Sequence, residues 1–160
     1  GSAGGAVAAG AGANIALACD ITIASDKASF IQAFSKIGLI PDSGGTFILP
    51  RLIGLQRATA LTMLGDKISA ELAVQMGMIY KSVPHESLET EAWQITQTLA
   101  QMPTKGLGLT KRALNRALRN DLEEQLTLEV ELQTAAGATN DFREGVQAFL
   151  EKRKPVFKGE

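Results

Sequence analysis

The chain reads as an α/β fold followed by C-terminal helices. Three observations predict this. Two short β-branched or aromatic segments, Ile21-Thr22-Ile23-Ala24 and Ala28-Ser29-Phe30-Ile31, flank the turn residues Ser25-Asp26-Lys27, which is a strand, turn, strand pattern. Two glycine-rich turns, Gly10-Ala11-Gly12 and Ser43-Gly44-Gly45, each open an apolar segment of helical character. The last third carries helical periodicity with few interruptions.

Taken in order, the first element is Val7-Ala8-Ala9-Gly10-Ala11-Gly12-Ala13-Asn14, which leads into the apolar helix Ile15-Ala16-Leu17-Ala18. No strand is visible ahead of it, and the glycines lack the G-x-G-x-x-G spacing of a dinucleotide site. The two strands follow. Gly38-Leu39-Ile40-Pro41 then runs into Asp42-Ser43-Gly44-Gly45-Thr46 and a helix through Phe47-Ile48-Leu49. Residues 55–64 and 69–76 read as short helices, the latter opened by the capping pattern Ser69-Ala70-Glu71 and closed by Gly77. Residues 78–83 read as a strand. Residues 86–102 form an amphipathic helix with Leu88, Ala92, Ile95 and Leu99 on one face, ended by Pro103. Three further helices are expected over 106–119, 122–136 and 141–152. The middle one has a wide apolar stripe of Leu122, Leu126, Leu128, Val130 and Leu132 opposite Glu123, Glu124, Glu129 and Glu131. That stripe suits an intramolecular cap and an interface equally well. Residues 65–69 and 102–105 are expected hinges.

Composition excludes several functional classes. With 160 residues, 45% hydrophobic and 21% charged, and a net charge of −1, the chain can bury one core and offers no basic surface for nucleic acid. Its longest apolar runs are too short to span a bilayer, so a soluble, cytoplasmic protein is expected. The single Cys19 excludes an internal disulfide and is expected to be a buried packing thiol. The lone His85, at a helix entrance, offers no metal-ligand set. Neither a metal nor a cofactor is expected.

Two places can carry chemistry. Free N–H groups at Gly10-Ala11-Gly12 favour an oxyanion or a phosphate, although the same small residues also let a helix pack closely on a neighbour. Asp42 stands before the second glycine-rich turn, as either a helix N-cap or a reacting carboxylate.

Together these segments resemble the enoyl-CoA hydratase/isomerase (crotonase) superfamily. The resemblance runs from about Val7 to the C-terminus. It is carried by Ala8-Ala9-Gly10-Ala11-Gly12-Ala13-Asn14, Ala18-Cys19-Asp20-Ile21, Gly38-Leu39-Ile40-Pro41-Asp42-Ser43-Gly44-Gly45-Thr46 and Leu49-Pro50-Arg51-Leu52-Ile53-Gly54. Further matches are Gly65-Asp66-Lys67-Ile68-Ser69-Ala70, Ala73-Val74-Gln75-Met76-Gly77-Met78-Ile79 and the closing run from Arg143-Glu144-Gly145 to Arg153. Within the superfamily, Ala33-Phe34-Ser35-Lys36-Ile37-Gly38-Leu39-Ile40-Pro41-Asp42 is most similar to the ring-1,2-epoxyphenylacetyl-CoA isomerases of phenylacetate breakdown.

The resemblance implies a ClpP/crotonase spiral ββα core, of which residues 6–100 are the second half, and a C-terminal helical trimerisation region over 101–160. Residues 1–5 are expected to be a cloning remnant, because Gly1-Ser2 has that form, and Gly5-Ala6 departs from the family's usual Asn-Gly step. Family members are longer, so a C-terminal fragment is expected. The implied substrate is an acyl-CoA thioester, the implied assembly a homotrimer or hexamer, with neither nucleic acid nor membrane as partner. By position, the N–H of Ala11, flanked by Gly10 and Gly12, is one of two donors that stabilise the thioester enolate; such donors contribute ~3 kcal/mol each to a transition state. The second lies upstream in the family. Phe149 and Lys152, one turn apart on the last helix, are implied contacts of the adenine and phosphate end of CoA, in the same or a neighbouring subunit; the alternative is a core Phe149 and a solvated Lys152.

The reaction follows from which acids are present. Hydratases of the superfamily use two glutamates, and their positions are occupied here by Asn14 and Phe34, neither of which transfers a proton. Asp42 remains. One carboxylate opposite an oxyanion site suffices to move a proton along an acyl chain, so isomerisation is the economical assignment, with Phe34 lining an apolar acyl pocket near Phe30 and Phe47. The alternatives are a Δ3-Δ2 enoyl-CoA isomerase or hydratase-like enzyme, a dehalogenase of the 4-chlorobenzoyl-CoA type with Asp42 as nucleophile, and a catalytically inactive fragment serving as an assembly module.

Overall fold

Alanine and glycine dominate the N-terminal segment, and their small size allows a three-residue strand to run straight into a helix. The computed structural model describes residues 2–3 and 7–160. Strand β2 (Val7–Ala9) precedes helix α1 (Ala11–Leu17) directly, where the sequence shows no strand. Its β character comes from partners distant in sequence: β2 pairs in parallel with β4 (Ser29–Ile31), in the register Ala8↔Phe30. An Ala-Ala strand has no propensity signal of its own, and such short strands are specified by packing.

Two three-stranded sheets result. One has the order β1 (Ser2–Ala3), β3 (Ile23–Ser25), β6 (Lys81–Val83), all parallel. The other has the order β2, β4, β5 (Lys67–Ser69), with β4 and β5 antiparallel. The segment set aside as a remnant thus contains a paired strand at Ser2–Ala3, while Gly5 and Ala6 lie outside the described residues. The expected hinge at 65–69 is largely β5: Ile68 is buried opposite Phe30, which locks that segment to the sheet.

Helices α2 (Gly45–Ile53), α3 (Leu55–Leu64) and α4 (Ala70–Gln75) follow the pattern read from the sequence. Ser69 caps α4 by accepting the Leu72 N–H at 3.2 Å. The core of this unit gathers Ala13, Leu17, Phe30, Leu49, Ile53, Leu61, Ile68 and Met78. Small residues at Ala13, Ala24, Ala28, Ala70 and Ala73 let the helices and strands approach closely enough to close that core. Cys19 is not part of it. The thiol is exposed, because α1 ends at Leu17 and Cys19 falls beyond the helix, on the side that Ile15 also leaves exposed.

The chain divides into two units, Gly1–Trp93 and Gln94–Glu160, with the boundary inside α5 (Leu88–Ala100). The second unit contains α6 (Thr104–Ala117), α7 (Leu122–Gly137) and α8 (Asn140–Leu150). Asp121 opens α7 with a full capping box, its carboxylate accepting the Glu124 N–H while the Glu124 side chain accepts the Asp121 N–H. Of the apolar stripe on α7, only Leu132 is buried; Leu122, Leu126 and Val130 are exposed.

Candidate active site

The α1 entrance is built by Gly10. Its φ of 53° is a left-handed conformation that L side chains rarely adopt, and its N–H donates to the Ile31 carbonyl at 3.0 Å, which ties the entrance to β4. A Cβ at Gly10 would meet Cζ of Phe34 at 3.4 Å. Phe34, buried in a 3-10 turn (Ala33–Ile37), therefore lies against the glycine-rich entrance. Phe30 instead belongs to the core, and Phe47 stacks under Arg51, whose guanidinium carbon lies 3.6 Å from the ring centroid. The Ala11 N–H, at the first helical position, has no intrahelical carbonyl within reach, and Gly12 beside it is exposed.

Asp42 does not cap α2. The helix is preceded by Gly44 with φ 79°, and Ser43 with φ 51°, a left-handed pair that turns the chain before Gly45. This geometry sends the Asp42 backbone carbonyl, not its carboxylate, toward the helix, where it accepts the Gly45 N–H at 2.9 Å. The carboxylate itself accepts only the Ser43 hydroxyl, at 3.0 Å, among the described residues, and Asp42 is exposed. The carboxylate is thus not engaged at the α2 N-terminus, where the N-cap residue Gly44 makes no side-chain cap.

Sequence reasoning missed what joins the two turns. Asn14, on α1, donates from Nδ2 to the same Asp42 carbonyl at 2.9 Å, and its Oδ1 accepts from Gln32 Nε2 at 2.7 Å. Both amides are buried, at 1% and 3% exposure. A Cβ on Gly45 would sit 2.2 Å from Asn14 Nδ2, so the second glycine-rich turn rests directly on the Asn14 amide. The available signal was Gln32 itself, an amide at the end of the apolar run Phe30-Ile31.

The second unit holds Phe149 and Lys152. They are not one turn apart on a helix: α8 ends at Leu150, and Lys152 lies beyond it with φ 55°. The reversal is held by the Arg153 N–H on the Ala148 carbonyl at 3.0 Å and by the Arg153 guanidinium on Glu144. Phe149 is 82% exposed and lines an open, mainly apolar cavity of about 550 Å³ with Phe142, Val146 and Phe157. Hydrogen bonds from the Arg153 guanidinium and the Val156 N–H hold the Glu144 carboxyl down at about 2.

The two-sheet core with its glycine-rich helix entrance has the crotonase fold, which solved enoyl-CoA hydratase/isomerase structures share. The chain belongs to the enoyl-CoA hydratase/isomerase family, whose profile matches residues 3–160. It is 54% identical over 153 residues to 1,2-epoxyphenylacetyl-CoA isomerase of Escherichia coli K12, covering 96% of this chain and 58% of that protein. It is 49% identical over 152 residues to a probable enoyl-CoA hydratase of Rhodobacter capsulatus, covering 95% of this chain and 59% of that one. The crystal structure of enoyl-CoA hydratase from Bacillus anthracis superposes with a TM-score of 0.93 at 38% identity, over 96% of this chain and 60% of that chain. The chain thus spans 58–60% of the length of these relatives. No helix among the described residues is long and apolar enough to cross a membrane.

Proposed function

We propose that the protein carrying this chain is an acyl-CoA isomerase with ring-1,2-epoxyphenylacetyl-CoA as its substrate. The observation that carries the reading is the Asp42 carboxylate: exposed, relieved of helix capping, and on a turn bonded through Asn14 to the helix that begins at Ala11. In this reading the carboxylate removes a proton acidified by the thioester, the Ala11 N–H with its glycine neighbours Gly10 and Gly12 stabilises the enolate oxygen, and the same acid returns the proton at another carbon. Proton and electron pair are conserved, so no cofactor is required. Phe34 lines the acyl side, while Phe149 and Lys152 take the CoA end of a substrate held by a neighbouring subunit. A homotrimer or hexamer in the cytoplasm completes the proposal, and the exposed stripe on α7 supports an assembly.

Hydration is disfavoured on chemistry. It requires a second carboxylate to deliver or accept a proton beside the water, and Asn14 and Phe34 stand where the family resemblance implies the two glutamates of hydratases. The relatives carry both names, an isomerase at 54% identity and a probable hydratase at 49%, so hydration is disfavoured by the residues alone.

The test is Asp42→Asn in the full-length protein. The amide preserves shape and removes basicity, so turnover should fall by roughly three orders of magnitude or more, with KM little changed. Turnover within a few-fold of wild type would overturn the isomerase reading.

A further inference from the structure

Asn14 has three features that a passive core amide does not need. Its two polar atoms serve opposite roles, Nδ2 as donor to the Asp42 carbonyl and Oδ1 as acceptor from Gln32. An amide does both through two separate atoms, whereas an aspartate carboxylate would face the Asp42 carbonyl with an oxygen. Second, the Asp42 carbonyl has both lone pairs occupied, by Asn14 Nδ2 and the Gly45 N–H, which prevents its peptide plane from rotating. Third, the turn is seated so closely that a Cβ at Gly45 would overlap the Asn14 amide at 2.2 Å. Among the described residues Gln32 Oε1 is buried with no hydrogen-bond partner, so the bond from Nε2 to Asn14 is the one that places the Gln32 amide.

We infer that Asn14, held by Gln32, is a positioning residue that fixes the Asp42 carboxylate relative to the Ala11 entrance and so sets kcat rather than substrate affinity. The inference rests on the isomerase reading above, in which Asp42 exchanges the proton. Holding the Asp42–Ser43 peptide fixes where the Asp42 side chain leaves the turn, and the Ser43 hydroxyl on Oδ1 at 3.0 Å restrains the carboxylate from there. Reactions that depend on a near-attack geometry are sensitive to displacements of this kind.

The experiment compares Asn14→Ala, Asp42→Asn and the double variant in the full-length protein, with ring-1,2-epoxyphenylacetyl-CoA as substrate and its consumption, followed by liquid chromatography, as readout. Asn14→Ala should lower kcat on the order of 30-fold with KM within about two-fold, since misplacement slows the proton step without removing a ligand contact. In the Asp42→Asn background the same substitution should change the residual rate by less than about two-fold, because its route to the reaction is already cut. Gln32→Leu, which removes the support behind Asn14, should lower kcat in the same direction and stands in if Asn14→Ala does not fold. Melting temperatures test the contact independently of turnover: Gly45→Ala should lower Tm in the wild type and lower it less beside Asn14→Ala. A kcat retained within two-fold in the Asn14 and Gln32 variants, or an equal loss in both Asp42 backgrounds, overturns the inference, as does an equal Gly45→Ala effect on Tm in both Asn14 backgrounds. Wild-type turnover in Asp42→Asn overturns the isomerase reading instead.

Discussion

At Phe34 one side chain serves the fold and the proposed site together. Its ring is buried and lies against the Gly10 backbone, where even the methyl of alanine would be met at 3.4 Å. Phe34→Ala should therefore cost about 3 kcal/mol, as aromatic truncations in packed interiors do, measured by urea unfolding. A loss below about 1 kcal/mol would show that the ring is not packed on the entrance.

Helix α8 and the segment after it behave as one element. Asp141 is buried and accepts the Lys158 N–H at 2.7 Å and the Gly159 N–H at 2.8 Å, while its own N–H donates to the Glu160 carbonyl. Glu144 accepts from Arg153 and from the Val156 N–H, which lowers its pKa from 4.5 to about 2; hydrogen bonds from Gln147 and then Arg153 lower Glu151 in the same direction. A carboxylate whose folded pKa lies below its unfolded value stabilises the fold above the unfolded value and ceases to do so as pH falls through the folded one. Protection of the Val156 amide against hydrogen exchange should therefore be full above pH 4.5 and decline toward pH 2. In Glu144→Gln the decline should be shallower and the protection lower at neutral pH. A profile identical to wild type would show that the segment is held by Asp141 alone.

For the whole chain, the decisive feature is apolar surface. Ile40, Leu55, Leu122, Val130 and Phe149 are all more than two-thirds exposed. The 160-residue chain should self-associate at micromolar concentration, seen as species larger than a monomer by light scattering after size exclusion. A single sharp monomer peak would contradict this. Acyl-CoA binding by the same chain should be weak, because the polar anchors at Gly10, Ala11 and Gly12 are few and the apolar cavity beside Phe149 is open. Micromolar affinity by calorimetry would overturn that expectation.

The sequence by itself determined the order of the helices, the two glycine-rich turns and the absence of hydratase-type carboxylates at Asn14 and Phe34, because propensity, capping and side-chain identity are local properties. It could not determine β2, whose alanines become a strand only against β4, nor β5, which packing on Phe30 converts from an expected hinge. At Lys152 the helical pattern continued past the point where Arg153 turns back to Glu144. The bond from Asn14 to the Asp42 carbonyl lies furthest from what local pattern can show. It joins residues 28 apart, and only the meeting of α1 with the Gly44-Gly45 turn decided that the asparagine would hold the backbone and leave the carboxylate of Asp42 free of capping. Hydrogen bonds between distant segments carry no periodicity or propensity, so the tertiary structure alone reveals them.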